Sequence, residues 1–188
     1  FIYTHTDDEL YVNLFVASQL NWKEKKFVIK QETNFPSEET VRLTIDSRKA
    51  QTLKIKIRCP WWVKPGEMKV ICKGKDYAVG AQPSSYIEIE RRWKKGDVIE
   101  VTMPMTITVE ELPNLPNYIA IMRGPILMGA RMGDYRLDGL VANDGRWAHI
   151  AHGPLVSLFD TPFLIGERDE IVEKLQGMQP VSGKPMHF

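Results

Sequence analysis

Val41, Leu43 and Ile45 alternate with Arg42 and Thr44; Leu53, Ile55 and Ile57 alternate with Lys54, Lys56 and Arg58; Ile87 and Ile89 alternate with Glu88 and Glu90. Successive side chains on a strand point to opposite faces. A period of two therefore sets an apolar face against a core and a charged face in water, as in half-buried antiparallel strands. Two more strand-like runs precede these, Glu9 to Leu20 and Phe27 to Thr33, on either side of the polar turn Lys23-Glu24-Lys25-Lys26. Turn signals at Asn34-Phe35-Pro36-Ser37, Lys64-Pro65-Gly66, Lys73-Gly74-Lys75 and Lys95-Gly96-Asp97 separate the runs. Short alternating strands punctuated in this way predict an antiparallel β-sandwich, jelly-roll-like, over residues 1–111.

The composition shifts near residue 104. Pro104, Pro113 and Pro116 bracket a segment, Met105 to Asn117, with room for one more strand and an irregular link. Two apolar runs follow, Tyr118 to Met122 and Ile126 to Ala130, split by Arg123-Gly124-Pro125. From Gly133 to Gly166 the pattern breaks up. Arg168 to Gln176 then reads as a helix, with Ile171, Val172 and Leu175 on one face and Gly177 as its stop. Residues 112–188 are thus expected to form a second, incomplete β-unit with one short helix.

Lys plus Arg number 25 against 24 Asp plus Glu, a formal charge of +1, which removes the electrostatic case for nucleic acid or an anionic membrane as the main partner. No apolar run approaches the roughly 18 residues of a membrane helix. The two cysteines, Cys59 and Cys72, are too few for a disulfide framework and have no second Cys or His at ligand spacing, so they read as small buried thiols.

Few residues suggest chemistry. His5, Asp7, Asp8 and Glu9 form the one dense acid–His cluster, but consecutive residues alternate in direction, and paired hydrolytic carboxylates must face each other across a cleft. A solvated loop is the expectation there, with no catalytic residue assigned. His149 and His152, near Asp144 and Asp160, match no compact metal motif. The aromatic residues are more suggestive, because exposed indole rings stack on sugar rings. Trp61 and Trp62 follow Cys59-Pro60 at a strand exit, and Trp93 lies in Arg91-Arg92-Trp93. Each is a candidate carbohydrate platform, with burial in a core or against another domain as the competing reading.

Several segments, in order, resemble the region that follows the catalytic barrel in glycoside hydrolase family 127, the β-L-arabinofuranosidase-type enzymes. They are Leu10-Tyr11-Val12-Asn13-Leu14-Phe15-Val16-Ala17-Ser18, Gln31-Glu32-Thr33-Asn34-Phe35-Pro36 and Ile57-Arg58-Cys59-Pro60-Trp61-Trp62. Arg92-Trp93-Lys94-Lys95-Gly96-Asp97-Val98 through Met103-Pro104-Met105, and Arg123-Gly124-Pro125-Ile126-Leu127, continue the likeness, which extends over residues 3–130. Where that family shows Asn-Gly after a Val-x-Val strand, this chain has Lys73-Gly74 after Cys72, and Gly74 still supplies positive φ.

The resemblance implies an (α/α)₆ barrel, elsewhere in a longer protein, that holds a zinc-bound cysteine nucleophile and cleaves arabinose-containing plant glycans with retention. It implies no cofactor here, the barrel as partner, a secreted or periplasmic location, and a docking surface near Phe1, Ile2 and Tyr3 as well as Trp61 and Trp62. Self-association through that surface is a further expectation. The readings to be separated are an accessory domain, a carbohydrate-binding module with its own ligand, and an autonomous enzyme or unrelated interaction domain.

Overall fold

The computed structural model describes residues 1–130, 159, 164–184 and 186–188. In chain order its strands are β1 (Tyr3–His5), β2 (Glu9–Val12), β3 (Ser18–Trp22), β4 (Phe27–Glu32), β5 (Thr40–Ile45) and β6 (Gln51–Cys59). Then come β7 (Lys69–Cys72), β8 (Lys75–Asp76), β9 (Ser85–Trp93), β10 (Val98–Thr102), β11 (Ile107–Leu112), β12 (Leu115–Arg123) and β13 (Ile126–Leu127), followed by helix α1 (Arg168–Gln176). A four-stranded sheet in the order β1-β2-β6-β9 faces a six-stranded sheet in the order β3-β4-β5-β10-β7-β8. Both contribute to one core. Leu10, Val12, Leu53, Ile55, Ile57, Ile87 and Ile89 come from the first sheet, and Phe27, Ile29, Val41, Leu43, Ile45, Val70, Ile99 and Val101 from the second. The alternation read from the sequence is the alternation buried: every inward residue expected on β5, β6 and β9 lies in this core.

One strand pair departs from the antiparallel expectation. β2 and β6 run parallel, from Glu9 opposite Lys54 to Val12 opposite Ile57. The chain leaves the first sheet after β2, builds β3, β4 and β5 in the second, and returns as β6. A crossover of that length is what a parallel pair requires. The run Glu9 to Leu20, expected as one strand, accordingly breaks at residues 13–17, where the chain crosses between sheets. Carbonyls on a crossing segment have no ladder partner and need one. Buried Gln31 supplies it, its Nε2 donating to the carbonyls of Leu14 at 3.1 Å and Val16 at 2.6 Å. The β7–β8 turn has both central residues left-handed, Lys73 at φ 50° and Gly74 at φ 76°, as a two-residue hairpin of matching twist demands.

The outward face of the first sheet is a charge ladder. Lys56 Nζ lies 3.1 Å from Glu9 and 2.9 Å from Glu88, and Lys54 reaches Glu9 and Glu88 at 3.6 and 3.5 Å. The Tyr11 hydroxyl donates to Glu9 at 2.6 Å; with Lys56 it holds the Glu9 carboxyl below its ordinary range. Glu88, followed by Glu9, in turn pushes the Lys56 ammonium up. Lys56 is therefore clamped between carboxylates although its strand position faces outward. Ile55→Ala is expected to cost about 2–5 kcal/mol through lost methylenes and a residual cavity. Lys56→Ala should lower the urea midpoint less, by an amount that shrinks in high salt as the ladder is screened. Urea unfolding at two ionic strengths checks both.

A second ionic cluster lies at the other end of β9. The Asp97 carboxylate, buried, meets Lys73 at 2.9 Å and Arg91 at 3.6 Å and accepts the Lys94 backbone N–H at 3.0 Å. Burial works to raise its pKa, but Lys73, the Lys94 amide and Arg91 together outweigh that and hold it low. A carboxyl depressed in the folded state adds stability in full above its unfolded value near 3.9. That contribution declines as pH falls below this value and is lost once pH has passed through the folded value. Asp97→Asn is expected to cost about 1–3 kcal/mol at neutral pH and to flatten the acid limb below about pH 4. A series of urea midpoints against pH tests this, and unchanged slopes would contradict it.

Beyond the sandwich, β11, β12 and β13 form a three-stranded antiparallel sheet. The irregular link expected before Asn117 is instead a tight hairpin. Leu112 pairs with Leu115 across Pro113-Asn114, with Asn114 left-handed at φ 64°. Pro113 pre-sets its own φ for a turn, and Asn tolerates the left-handed conformation. The sequence boundary between residues 111 and 112 falls inside β11. Helix α1 spans the expected residues with Ile171 buried, and Gly177 ends it in a right-handed conformation at φ −80°.

Candidate functional site

At one end of the sandwich the exits of β2 and β6 and the entries of β1 and β9 lie side by side, as the pairings of Val12 with Tyr3 and Ile57 and of Cys59 with Ser85 require. Here Asn13 and Leu14 donate their backbone N–H groups to the Ile2 carbonyl at 2.9 and 3.4 Å, which ties the N-terminal residues to the crossing segment. Phe15, turned inward, meets Phe35 edge-on at 6.2 Å between centroids, and Phe35 stacks on Trp62 at 6.1 Å. This aromatic row runs from the crossing segment, to which Ile2 is tied, to Trp62.

The row leaves apolar groups in water around it. Phe1 is fully exposed, Leu14 44%, Val16 49% and Trp61 54%. Ile2 and Tyr3 are half-buried; Tyr3 packs on the core, and its hydroxyl lies 3.0 Å from Ser18 Oγ. Trp62 is likewise half-buried against the core. The adjacent tryptophans thus have different fates, one packed and one outward. Trp93 does not fit a sugar platform. It is wholly buried, its Nε1 donating to the Leu53 carbonyl at 2.8 Å, so neither ring face is open to a ligand. Leu14, Val16 and Phe35 are not among the site residues expected from the sequence, because they read as parts of a strand and a turn. The signals available were the Phe35-Pro36 turn and, earlier in the chain, the non-alternating apolar run Leu14-Phe15-Val16.

The acid–His cluster does not converge. The His5 ring stacks on Trp22 at 4.3 Å, Asp8 pairs with Lys25 at 2.9 Å, and Glu9 belongs to the charge ladder. Cys59 and Cys72 are buried free thiols, one in each sheet, and burial pushes the Cys59 pKa up. Among the described residues no group of three or more His, Cys, Asp and Glu side chains could hold a metal ion. His149, His152, Asp144 and Asp160 lie outside the described residues.

The same end of the sandwich holds the junction with the β11–β13 sheet. Glu39 binds both units: its carboxylate accepts the Met105 N–H at 3.0 Å and pairs with Arg123 at 3.2 Å, while its carbonyl accepts the Met103 N–H at 2.9 Å. Gly124 is left-handed at φ 55°, and a Cβ there would stand 2.7 Å from Met105 Cγ. The Arg-Gly-Pro segment is thereby explained: the arginine pins the β11–β13 sheet to Glu39, and the glycine lets it approach buried Met105. Gly124→Ala is expected to cost about 1–3 kcal/mol through strain and overpacking. Thermal unfolding measures this; a neutral result would show that Met105 moves aside freely.

Two sheets closed on one shared core, with an outer charge ladder and an exposed apolar corner at one end, make a β-sandwich module. The comparisons give its family. Residues 9–105 match the model of the β-L-arabinofuranosidase GH127 middle domain, and residues 108–188 match a domain of unknown function. The two stretches meet at the Glu39–Arg123 junction. Similar solved structures include a glycoside hydrolase, 33% identical over 66% of this chain and 22% of its own, with a TM-score of 0.57. A GH127 β-L-arabinofuranosidase from Geobacillus stearothermophilus T6 is 29% identical over 68% of this chain and 21% of its own, with a TM-score of 0.56. A further GH127 β-arabinofuranosidase is 28% identical over 67% and 23%, with a TM-score of 0.58. The chain therefore spans less than a quarter of the length of these structures. The comparison with curated proteins returns no match. This chain belongs to glycoside hydrolase family 127 through its non-catalytic middle domain.

Proposed function

We propose that the chain serves as the non-catalytic support of a hydrolase acting on arabinose-containing plant-type glycans, seating a catalytic (α/α)₆ barrel of the same longer protein against its aromatic corner. The observation that carries this reading is the match of residues 9–105 to a domain of β-L-arabinofuranosidases, in relatives whose chains are more than four times as long as the matched part. The corner supports it. Phe1, Leu14, Val16 and Trp61 present apolar surface at one end, whereas Lys54 and Lys56 with Glu9 and Glu88, and Arg42 with Glu100, neutralise one another on the sheet faces. Apolar surface flanked by self-paired charge is what a docking interface buries at least cost in desolvation. Zinc and the cysteine nucleophile belong, on this reading, to the barrel.

In the longer protein, Leu14→Asp with Trp61→Asp is expected to lower the melting temperature and abolish hydrolysis of a nitrophenyl β-L-arabinofuranoside. The same substitutions in the isolated chain, which is expected to hydrolyse nothing and to bind no stoichiometric zinc, should leave its fold intact by circular dichroism. Full activity in the doubly substituted enzyme would refute docking at this corner. The half-exposed Trp61 also favours a second reading, a sugar platform. Quenching of its fluorescence by arabino-oligosaccharides, lost in Trp61→Ala, would establish that reading in place of docking.

A further inference from the structure

The β3–β4 turn (residues 23–26), the β5–β6 loop (46–50) and the β9–β10 turn (94–97) meet at the end of the sandwich opposite the aromatic corner. There Lys95 pairs with Asp46 at 2.8 Å, and the Gly96 N–H donates to the Ile45 carbonyl at 2.8 Å. Between these segments, on the outer face of the six-stranded sheet, lies a groove of about 610 Å³. Lys23 and Lys26 line it from the first segment, Arg48 and Lys49 from the second and Lys95 from the third. Asp46 is the one carboxylate among its described lining residues, and Lys95 already holds it; Glu24, in the first turn, does not line the groove. The other four cations are exposed and have no ion partner among the described residues. The sheet faces are built differently: Lys56 is matched by Glu9 and Glu88, Arg42 by Glu100 and Lys30 by Glu32. The chain's formal charge of +1 thus hides a local excess. Gathering like charges costs self-repulsion, and all four side chains stand on turns outside the core, where packing does not require them. A partner of opposite charge offsets that cost.

We propose that this groove binds a carboxylate-bearing polysaccharide chain. Its cations come from turns spread over four neighbouring strands, β3, β4, β5 and β10, about 14 Å at the usual spacing between strands. A row of that length addresses successive charges of a polymer rather than one small anion. Gln19 and Asn21, which leave β3 on the same outer face, set amides for sugar hydroxyls beside the cations. No aromatic side chain is among the described residues that line the groove, so the bases of a nucleic acid find nothing there to stack on. That the polymer is a glycan rests on the reading of this chain as part of a glycan hydrolase; the excess of charge does not. Barrel docking is a separate matter, since the groove and the corner occupy opposite ends and neither Leu14 nor Trp61 lines the groove. A barrel seated at the corner leaves the groove free to hold an acidic stretch of the glycan beside the enzyme.

Polygalacturonate is the probe, with its fully methyl-esterified form as the same chain without charge and polyglutamate as an acidic chain without sugar. Calorimetric titration of the full chain at low salt should give saturable polygalacturonate binding, with the ester and polyglutamate weaker by at least about tenfold. Binding should be lost at about 1 M salt, where screening reaches about 3 Å. Lys23→Gln with Arg48→Gln and Lys49→Gln should weaken polygalacturonate about tenfold and leave the melting temperature unchanged or raised, since only repulsion is removed. Lys64→Gln with Lys69→Gln and Lys184→Gln takes the same charge from exposed sites outside the groove and should leave binding unchanged. No saturation, equal loss in both triple variants, or equal binding of the ester would each overturn the proposal. Polyglutamate bound as tightly as polygalacturonate would overturn it as well, in favour of an acidic protein segment. The Leu14→Asp and Trp61→Asp enzyme tests the docking reading independently of these titrations.

Discussion

Strand β6 must satisfy two neighbours and one core at once, and the sandwich follows from how it does so. Its backbone pairs with β2 in parallel on one side and with β9 antiparallel on the other. Leu53, Ile55, Ile57 and Cys59 meanwhile carry the inner face of its sheet. A slip of one residue against either neighbour would turn these groups to water and bring Lys54 and Lys56 inside, so burial on one face fixes both registers together. The same registers bring Glu9 and Glu88 to either side of Lys56. The outer ladder is thus a consequence of the inner packing. Surface ion pairs of this kind add little stability by themselves, but they oppose the slipped alternatives.

The end where β6 leaves its sheet carries the demands of both units. Parallel pairing with β2 places the exits of both strands at that end, which brings Leu14 and Val16 close to Trp61 and Trp62 without any direct sequence relation between them. β5 enters and β10 leaves at this end as well, since Thr40 pairs with Thr102, and so the β11–β13 sheet attaches there through Glu39, Met103 and Met105. A single carboxylate, Glu39, holds the linker amide and the Arg123 guanidinium. Removing it would leave a half-buried cation without its carboxylate and a backbone N–H without its acceptor, which is dearer than losing one hydrogen bond.

What was legible in the sequence was what alternation determines. Period two marks which face of a strand is buried, and Val41 through Ile45, Leu53 through Ile57, and Ile87 and Ile89 are all placed as that pattern requires. Alternation is the same for parallel and antiparallel neighbours, so the β2–β6 pairing could not be read from it. The crossing at residues 13–17 was hidden because Leu14, Phe15 and Val16 are strand-like in composition, and the decisive partner, Gln31, lies on another strand. Trp93 shows the limit for site residues. Its neighbours Arg91 and Arg92 suggest an exposed stretch, yet pairing places Trp93 inward opposite Gln51, where its N–H reaches the Leu53 carbonyl. Trp61, beyond the end of β6, has no ladder to decide its direction, and only the three-dimensional corner shows it facing water.

These placements also bear on why the accessory role and the family resemblance belong together. Most of the segments that carry the resemblance meet, in the structure, at one end: the β2 exit, the Phe35 turn, the Cys59-Pro60-Trp61-Trp62 exit, the linker at Met103 to Met105, and the Arg-Gly-Pro turn; the Arg92-to-Val98 turn lies at the opposite end, where Asp97 is buried against Lys73 and Arg91. The longest alternating stretches, whose residues can be exchanged for others of like polarity without loss of the pattern, contribute little to it. A sandwich core needs apolar groups of about the right volume, whereas a corner that fits a second surface needs particular shapes in particular places. Phe35 stacked on Trp62, Gly124 against Met105 and Arg123 on Glu39 are constraints of the second kind. Most of the motifs therefore lie where units meet rather than at a centre of chemistry, and this is why a chain without a convergent acid pair among its described residues can still carry the marks of a hydrolase family.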